Sequence, residues 1–239
     1  MGGKMTLSVG IVTPTTGSVE LEKCIQSVQS QTYTNLKHYL FLDGSDVKVN
    51  LPYSLKYPIK KISLEENVGA DGWYGHRVYA ACSFLVDTDI IIYLDQDNWI
   101  KSKHVESLVN LIEQKNLDWA YCLRKIYDKE GKYICRDDCE SLGMWPAWVG
   151  SDVHHVDTSC YAVKREVAVQ VGHMWYAKWG ADRRFFSVLM SAFKNNDCTR
   201  EYTLCYRLGG NEGSAQKQFF MDGNLWMLKK YNGDLPWTL

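Results

Sequence analysis

No stretch of this chain is long and apolar enough to span a bilayer. The longest apolar runs, Tyr79–Val86 and Ile90–Leu94, fit buried elements of a globular core. The N-terminus lacks the charged region, apolar segment and small-residue cleavage site of a secretory signal. Met1-Gly2-Gly3-Lys4 ahead of Met5 reads as an appended remnant outside the fold. Without a signal, the eight cysteines are expected as reduced thiols and the expected location is cytoplasmic. Charge of one sign is also missing: 27 Lys and Arg against 28 Asp and Glu leave a formal net charge of -1. The bulk charge therefore gives no electrostatic argument for nucleic acid or for an anionic surface as partner. No Ser/Gly-rich linker, low-complexity tract or internal repeat divides the 239 residues, so a single domain is expected.

What is present is ordinary globular composition, 46% hydrophobic and 23% charged, which rules out a disordered chain. Nine Trp and fifteen Tyr are the unusual part, because such rings fill cores but also stack on sugars and bases. Leu7–Thr13 reads as a buried strand, closed by Pro14 and Gly17. Ser18 is placed to cap a helix that buries Leu21, Cys24, Ile25 and Val28. The pattern repeats with strands at His38–Leu42 and Lys60–Leu64, a helix at Val78–Val86 and a strand at Asp89–Leu94. Ser102 is placed to cap a helix burying Val105, Leu108, Val109 and Ile112. Such alternation predicts an α/β fold with a mainly parallel sheet covered by helices on both faces. Beyond residue 119 the rhythm loosens. Trp119–Tyr127 reads as a strand, turning at Asp128–Gly131 into Tyr133-Ile134, and Ser159–Val163 as another. Ala181–Phe193 and Gln216–Tyr231 read as helices.

The strongest chemical signal is Ile90-Ile91-Ile92-Tyr93-Leu94-Asp95-Gln96-Asp97. Two carboxylates follow a buried strand, and ligands of open α/β sheets bind beyond the carboxyl ends of strands. Alternation in an extended segment aims Asp95 and Asp97 to one side. Converging carboxylate oxygens suit a hard divalent cation, Mn2+ or Mg2+, shared with phosphate oxygens.

Five segments together resemble the family-2 glycosyltransferases of the GT-A fold. They are Val9–Thr15, Cys24–Tyr33, Leu40–Ser45, Asn67-Val68-Gly69 and the Asp95–Asp97 strand end. The resemblance covers residues 7–100 and fades beyond them. It implies a nucleotide-sugar-binding half over about residues 5–100 and an irregular acceptor-binding half over about 101–239. It places Thr13, Pro14, Thr15, Asp43, Asn67, Gly69, Asp95 and Gln96 at the donor, with Asp97 and Asp95 on the metal. Asp43 stands where the family often has two acids; a carboxylate there can accept from base or ribose donors. Gly69, Gly72 and Gly75 let the backbone approach a ligand closely. Arg77, with His76 second, stands where the family carries a basic residue toward the donor, and a planar guanidinium suits diphosphate.

In the second half, Trp179-Gly180-Ala181-Asp182 resembles the family's acidic motif, with Ala where Glu usually precedes Asp. Asp182 is thus the expected general base, with Asp157 as the alternative. Trp175 and Trp179 are expected at the acceptor sugar. Cys135 and Cys139, with His154 and His155 downstream, leave a structural zinc or a solvated acidic loop open. The resemblance implies inverting transfer from a UDP-, GDP- or dTDP-linked sugar to a glycan, lipid-linked or protein acceptor, in surface polysaccharide or glycoconjugate synthesis. Two rivals remain. A sugar-phosphate nucleotidyltransferase would carry a basic residue in its first Gly-rich loop, and Pro14-Thr15-Thr16-Gly17 has none. A non-catalytic glycan-binding module would not need the Asp95/Asp97 pair.

Overall fold

The structure, a computed structural model, describes residues 6–210 and 215–238; Met1–Lys4, expected as a remnant, lie outside them. Strand β1 (Val9–Thr15) is buried along its whole length. Helix α1 (Leu21–Gln29) returns the chain to β2 (Leu36–Asp43), which pairs with β1 in parallel. The outer strand β3 (Ile59–Leu64) adds to β2, and α2 (His76–Leu85) leads to β4 (Ile90–Tyr93) on the other side of β1. All four strands are parallel, as crossover connections require. The central strands read as unbroken apolar runs because helices cover both faces.

Beyond β4 come β5 (Trp99–Ile100), α3 (His104–Lys115), β6 (Trp119–Tyr127) and β7 (Tyr133–Arg136). A 3-10 turn at Thr158–Cys160 opens β8 (Tyr161–Lys164), followed by α4 (Arg165–Val171), α5 (Ala181–Ala192), β9 (Asn196–Arg207) and α6 (Lys217–Lys230). The sheet order is β3-β2-β1-β4-β8-β6-β9-β5, with β7 on β6. β8 runs antiparallel between β4 and β6, so the second half of the chain joins the same sheet as the first. β1, β2, β3, β4, β6 and β9 point one way.

β5, β9 and α4 were not legible in the sequence. β9 pairs with β6 despite its polar start, Asn196-Asp197 and Arg200-Glu201, and the pairing shifts register where Arg200 takes a positive φ of 60°. α4 is a seven-residue helix, too short for its periodicity to stand out. Neither expected serine cap forms. Ser18 Oγ accepts from Glu20 N–H and donates to the Glu20 carboxylate, while Lys103 occupies the start of α3 with no side-chain cap.

The aromatic residues mostly build the interior. Trp175 stacks on Phe185 with centroids 4.4 Å apart, and Tyr79, Tyr93 and Tyr161 close around that pair. Because these rings come from α2, β4, β8, α5 and the segment before α5, the two halves share one core.

Candidate active site

A cleft of about 580 Å³ opens beyond the carboxyl ends of β1, β2 and β4. Its size suits a drug-sized or cofactor-sized ligand. Pro14, Thr15, Asp43, Asn67, Gly69, Asp95, Gln96 and Asp97 line one part of it. Asp157, Trp179 and Asp182 line another part of the same cleft. Residues expected at donor and acceptor thus share one continuous space, although they lie up to 168 positions apart in a chain of 239.

The Asp95–Asn98 segment is a turn, with Asn98 N–H donating to the Asp95 carbonyl at 3.1 Å, and not the extended run expected from alternation. Both carboxylates reach the cleft all the same. Asp95 is held on both oxygens: Tyr79 Oη donates to Oδ1 at 2.7 Å and Ser159 Oγ to Oδ2 at 3.2 Å. Gln96 Oε1 accepts from Thr15 Oγ1 at 2.7 Å and from Thr16 N–H at 3.2 Å, tying the turn to the end of β1. Arg207 Nε donates to the Asp97 carbonyl at 3.2 Å, and Arg207 N–H to Asn98 Oδ1 at 3.0 Å. Gly210 closes on the turn from the other side: a Cβ there would lie 2.3 Å from Asp97 Oδ2, so the Asp97 carboxylate would have to move.

Burial and crowded carboxylates set the electrostatics of this turn, with Arg207 offsetting part of the charge at Asp97. Burial, the neighbouring Asp97 and Asp157 push the Asp95 carboxyl up to about 7. Burial is also the main cause that raises Asp97 to about 6, with Asp157 adding to it. Like charges crowded in a poorly solvated site disfavour ionisation. A hard divalent cation would relieve that repulsion, and the donor set of carboxylate oxygens fits one. Among the described residues no group of three or more His, Cys, Asp and Glu converges as a complete metal cage. A cation here would draw its remaining ligands from phosphate oxygens and water, as Mg2+ sites commonly do.

Asp43 lies at the cleft but its carboxylate is engaged with its own fold. Val68 N–H donates to Oδ1 at 2.7 Å and Gly69 N–H to Oδ2 at 2.9 Å. It therefore fixes the Asn67–Gly69 loop, whatever it offers a ligand with its remaining lone pairs. Gly69 admits no side chain: a Cβ would sit 2.0 Å from the Tyr74 carbonyl oxygen and 2.6 Å from Asp43 Oδ2. Thr13 is fully buried, its Oγ1 hydrogen-bonded to His38 Nε2 at 3.0 Å, and it does not line the cleft. Arg77 does not line it either. Its guanidinium lies 3.9 Å over the Trp73 ring, and its Nη1 donates to the Val68 carbonyl at 3.4 Å, so it braces the Asn67–Gly69 loop from behind. His76 does line the cleft. Its Nδ1 is 2.9 Å from the Ala177 carbonyl, and burial lowers its pKa.

Asp182 sits in the first turn of α5, after Gly180 at a φ of 84°. Its Oδ1 accepts from Arg183 N–H at 2.8 Å, and its Oδ2 lies 3.6 Å from His155 Nε2. Of the two expected bases, Asp182 is the freer. Asp157 Oδ2 accepts from Arg124 Nη1 at 2.5 Å and its Oδ1 from Ser159 N–H at 3.0 Å. Arg124, fully enclosed, also donates to Asp137 at 2.7 Å and to Glu140. Trp179 is 70% exposed at the cleft, whereas Trp175 is completely buried beneath it and presents no face to an acceptor. Trp175 pairs with Phe185 because α5 delivers that ring into the same core. Cys135, Cys139, His154 and His155 do not gather. Cys139 packs under α6, where Gly223 leaves room for its sulfur.

Sequence reasoning missed Arg124, Arg207, His155 as a partner of Asp182, and the clamp from Ser159 to the Asp95 turn. Arg207 ends a strand whose polar start hid it. Arg124 sits in a mostly apolar strand, and the Arg124-Lys125 pair inside that run was the available signal.

Two kinds of similarity bear on this geometry. The chain is 36% identical over 66 residues, 28% of its length, to an uncharacterized protein of Haemophilus influenzae, and spans 45% of that protein. Its fold is that of S. aureus TarS. Against TarS 1–349 the TM-score is 0.59 at 13% identity, covering 84% of this chain and 60% of that one. Against the same protein in complex with UDP-GlcNAc it is 0.60 at 14% identity, covering 96% and 68%. With the glycosyl transferase family 2 pattern matched across residues 10–172, most of its length, the chain belongs to that family and has its GT-A fold.

Proposed function

We propose that the protein transfers a sugar from a nucleoside-diphosphate sugar to an acceptor hydroxyl, with inversion and with a divalent cation at the Asp95–Asp97 turn. The carrying observation is the single cleft that joins Asp43, Asn67 and the Asp95–Asp97 turn to Asp182 and Trp179. The solved TarS complexes with UDP and UDP-GlcNAc make a uridine diphosphate sugar the first donor to try.

Asp97, with Asp95 beside it, would hold the cation, which supplies charge neutralisation at the departing diphosphate. The rest of the chemistry belongs to the chain. Asp182 accepts the proton of the acceptor hydroxyl. The freed oxygen attacks the anomeric carbon from the face opposite the leaving group. The bond to the diphosphate oxygen breaks with its electron pair through an oxocarbenium-like transition state. Arg183 and Arg207 line the cleft as cations that favour that departure. Trp179 offers an exposed face for an acceptor ring. The acceptor class stays within glycan, lipid-linked glycan or protein, in surface polysaccharide or glycoconjugate assembly.

Calorimetric titration with UDP, with and without Mn2+, tests the donor reading. Parent protein should bind UDP more tightly with Mn2+, and Asp97→Ala should lose that gain while staying folded. A folded Asp97→Ala variant with undiminished metal-dependent UDP affinity and turnover would overturn the cation site. Hydrolysis of UDP-, GDP- and dTDP-sugars then names the donor; a preference for nucleoside triphosphate with sugar phosphate would replace transfer by nucleotidyl chemistry.

A further inference from the structure

Helix α6 already has a buried side. Phe220, Gly223 and Met227 face the core, with Phe220 and Met227 fully enclosed. The outward side of such a surface helix is ordinarily polar. Here it is not. Met221, Leu225 and Leu228 follow each other at i, i+4 and i+7, the spacing of one helix stripe. They are 43%, 54% and 42% exposed. Lys217 and Lys229 flank the stripe at about a quarter-turn or less on either side, by 100° per residue. Trp226 is 43% exposed farther round the same helix, with Lys230 Nζ 5.0 Å from its ring. The one acid of the helix is Asp222.

We propose that the outer face of α6 is a docking surface for an anionic lipid bilayer, lying flat at the headgroup boundary. Charge is the first argument. The chain as a whole is at -1, yet α6 carries three lysines against one aspartate. Lys217 and Lys229, beside the apolar stripe, complement anionic headgroups above acyl chains. Size is the second. A 14-residue helix is about 21 Å long and its stripe about 10 Å wide. That is about 200 Å², well short of the roughly 800 Å² per partner of a stable protein interface, whereas a bilayer needs no matching surface. Among the described residues no helix is long and apolar enough to cross a membrane, so the helix lies on the bilayer and does not span it. Phe219 and Phe220 of the same helix line the cleft, which puts the site about one helix diameter from the lipid. The surface stands independently of the transfer reading.

Co-sedimentation with vesicles tests it directly. The full chain should pellet with phosphatidylcholine vesicles containing a third phosphatidylglycerol. It should pellet several-fold less with phosphatidylcholine alone, and 0.5 M NaCl should weaken binding to the anionic vesicles because screening shortens the attraction. Leu225→Glu with Leu228→Glu should lower the bound fraction about tenfold. Both positions are exposed and outside the cleft, so the melting temperature and UDP affinity should hold. Lys217→Gln with Lys229→Gln should reduce binding to anionic vesicles while leaving the apolar stripe intact. Equal pelleting of parent and glutamate variant, or none by the parent, overturns the proposal. So does light scattering that shows a dimer dissolved by the same glutamates, which would make the face a contact between copies.

Discussion

Replacing Arg124 with methionine should be the most costly single change in the wall of the cleft that holds Asp157. Arg124 is 2% exposed, and its guanidinium donates to Asp137, Glu140 and Asp157 together. Methionine fills much of the same volume but leaves three carboxylates without their cation. Breaking a buried pair by removing one partner costs about 3–5 kcal/mol, because the remaining charge is stranded. A chain of this size shifts its melting point by about 2–4 °C per kcal/mol, so Arg124→Met should melt about 6–20 °C below the parent at pH 7. The pH dependence gives a second, signed test. Burial alone would raise the Asp137 pKa, but Arg124 and its hydrogen bonds more than offset it and hold it below the ordinary value. In the parent this contribution is present above the unfolded carboxylate pKa of about 3.9 and is lost as pH falls through the lower folded value. In the variant the sign reverses. Asp137 stays buried with its main stabiliser gone, so its folded pKa rises above the unfolded one. The resulting penalty is full at neutral pH and shrinks on acidification. Differential scanning calorimetry from pH 7.5 to 4.5 should therefore show the gap between parent and variant narrowing. A gap under 2 °C at pH 7, or one that widens toward pH 4.5, would refute the account of this network.

The remaining predictions concern the reaction. Asp182→Asn should lose transfer by about 10² or more, bind UDP as the parent does and melt within a few degrees of it, since Asn suits a helix start as Asp does. Transfer within a few-fold of the parent would leave Asp182 a helix-start residue alone. Asp43→Ala strips the acceptors from the Val68 and Gly69 N–H groups at about 1–3 kcal/mol each. It should raise the donor KM and lower the melting point together; an effect on acceptor KM alone would contradict the donor role of this loop. His155→Gln should lower kcat with donor Kd unchanged, because Nε2 stands 3.6 Å from Asp182 and away from the donor loop. An unchanged kcat in steady-state assays would reduce His155 to packing.

Local sequence determined the strands Val9–Thr15 and Ile90–Tyr93 and the helices that follow the first and last strands of the parallel set. In each, apolar periodicity and the demand to cover both sheet faces act within one window of chain. Asp43 ends β2 and the Asp95–Asp97 turn follows β4, so these two positions were legible for the same reason, whereas Gly69 is set by its contacts with Asp43 and Tyr74. Only tertiary structure decided which rings are free. Trp175 and Trp179 stand four residues apart, yet one is enclosed by Phe185, Tyr79 and Tyr93 and the other is 70% exposed. Tertiary structure also decided where Arg77 and Arg124 point, because a long cation follows whichever ring or carboxylate the fold brings near it. β9 formed against its own polar start because β6 offered a long edge to pair with, a gain no local window contains. The joining of Asp97 to Asp182 is likewise a property of β8 lying between β4 and β6, which brings the second half of the chain onto the first.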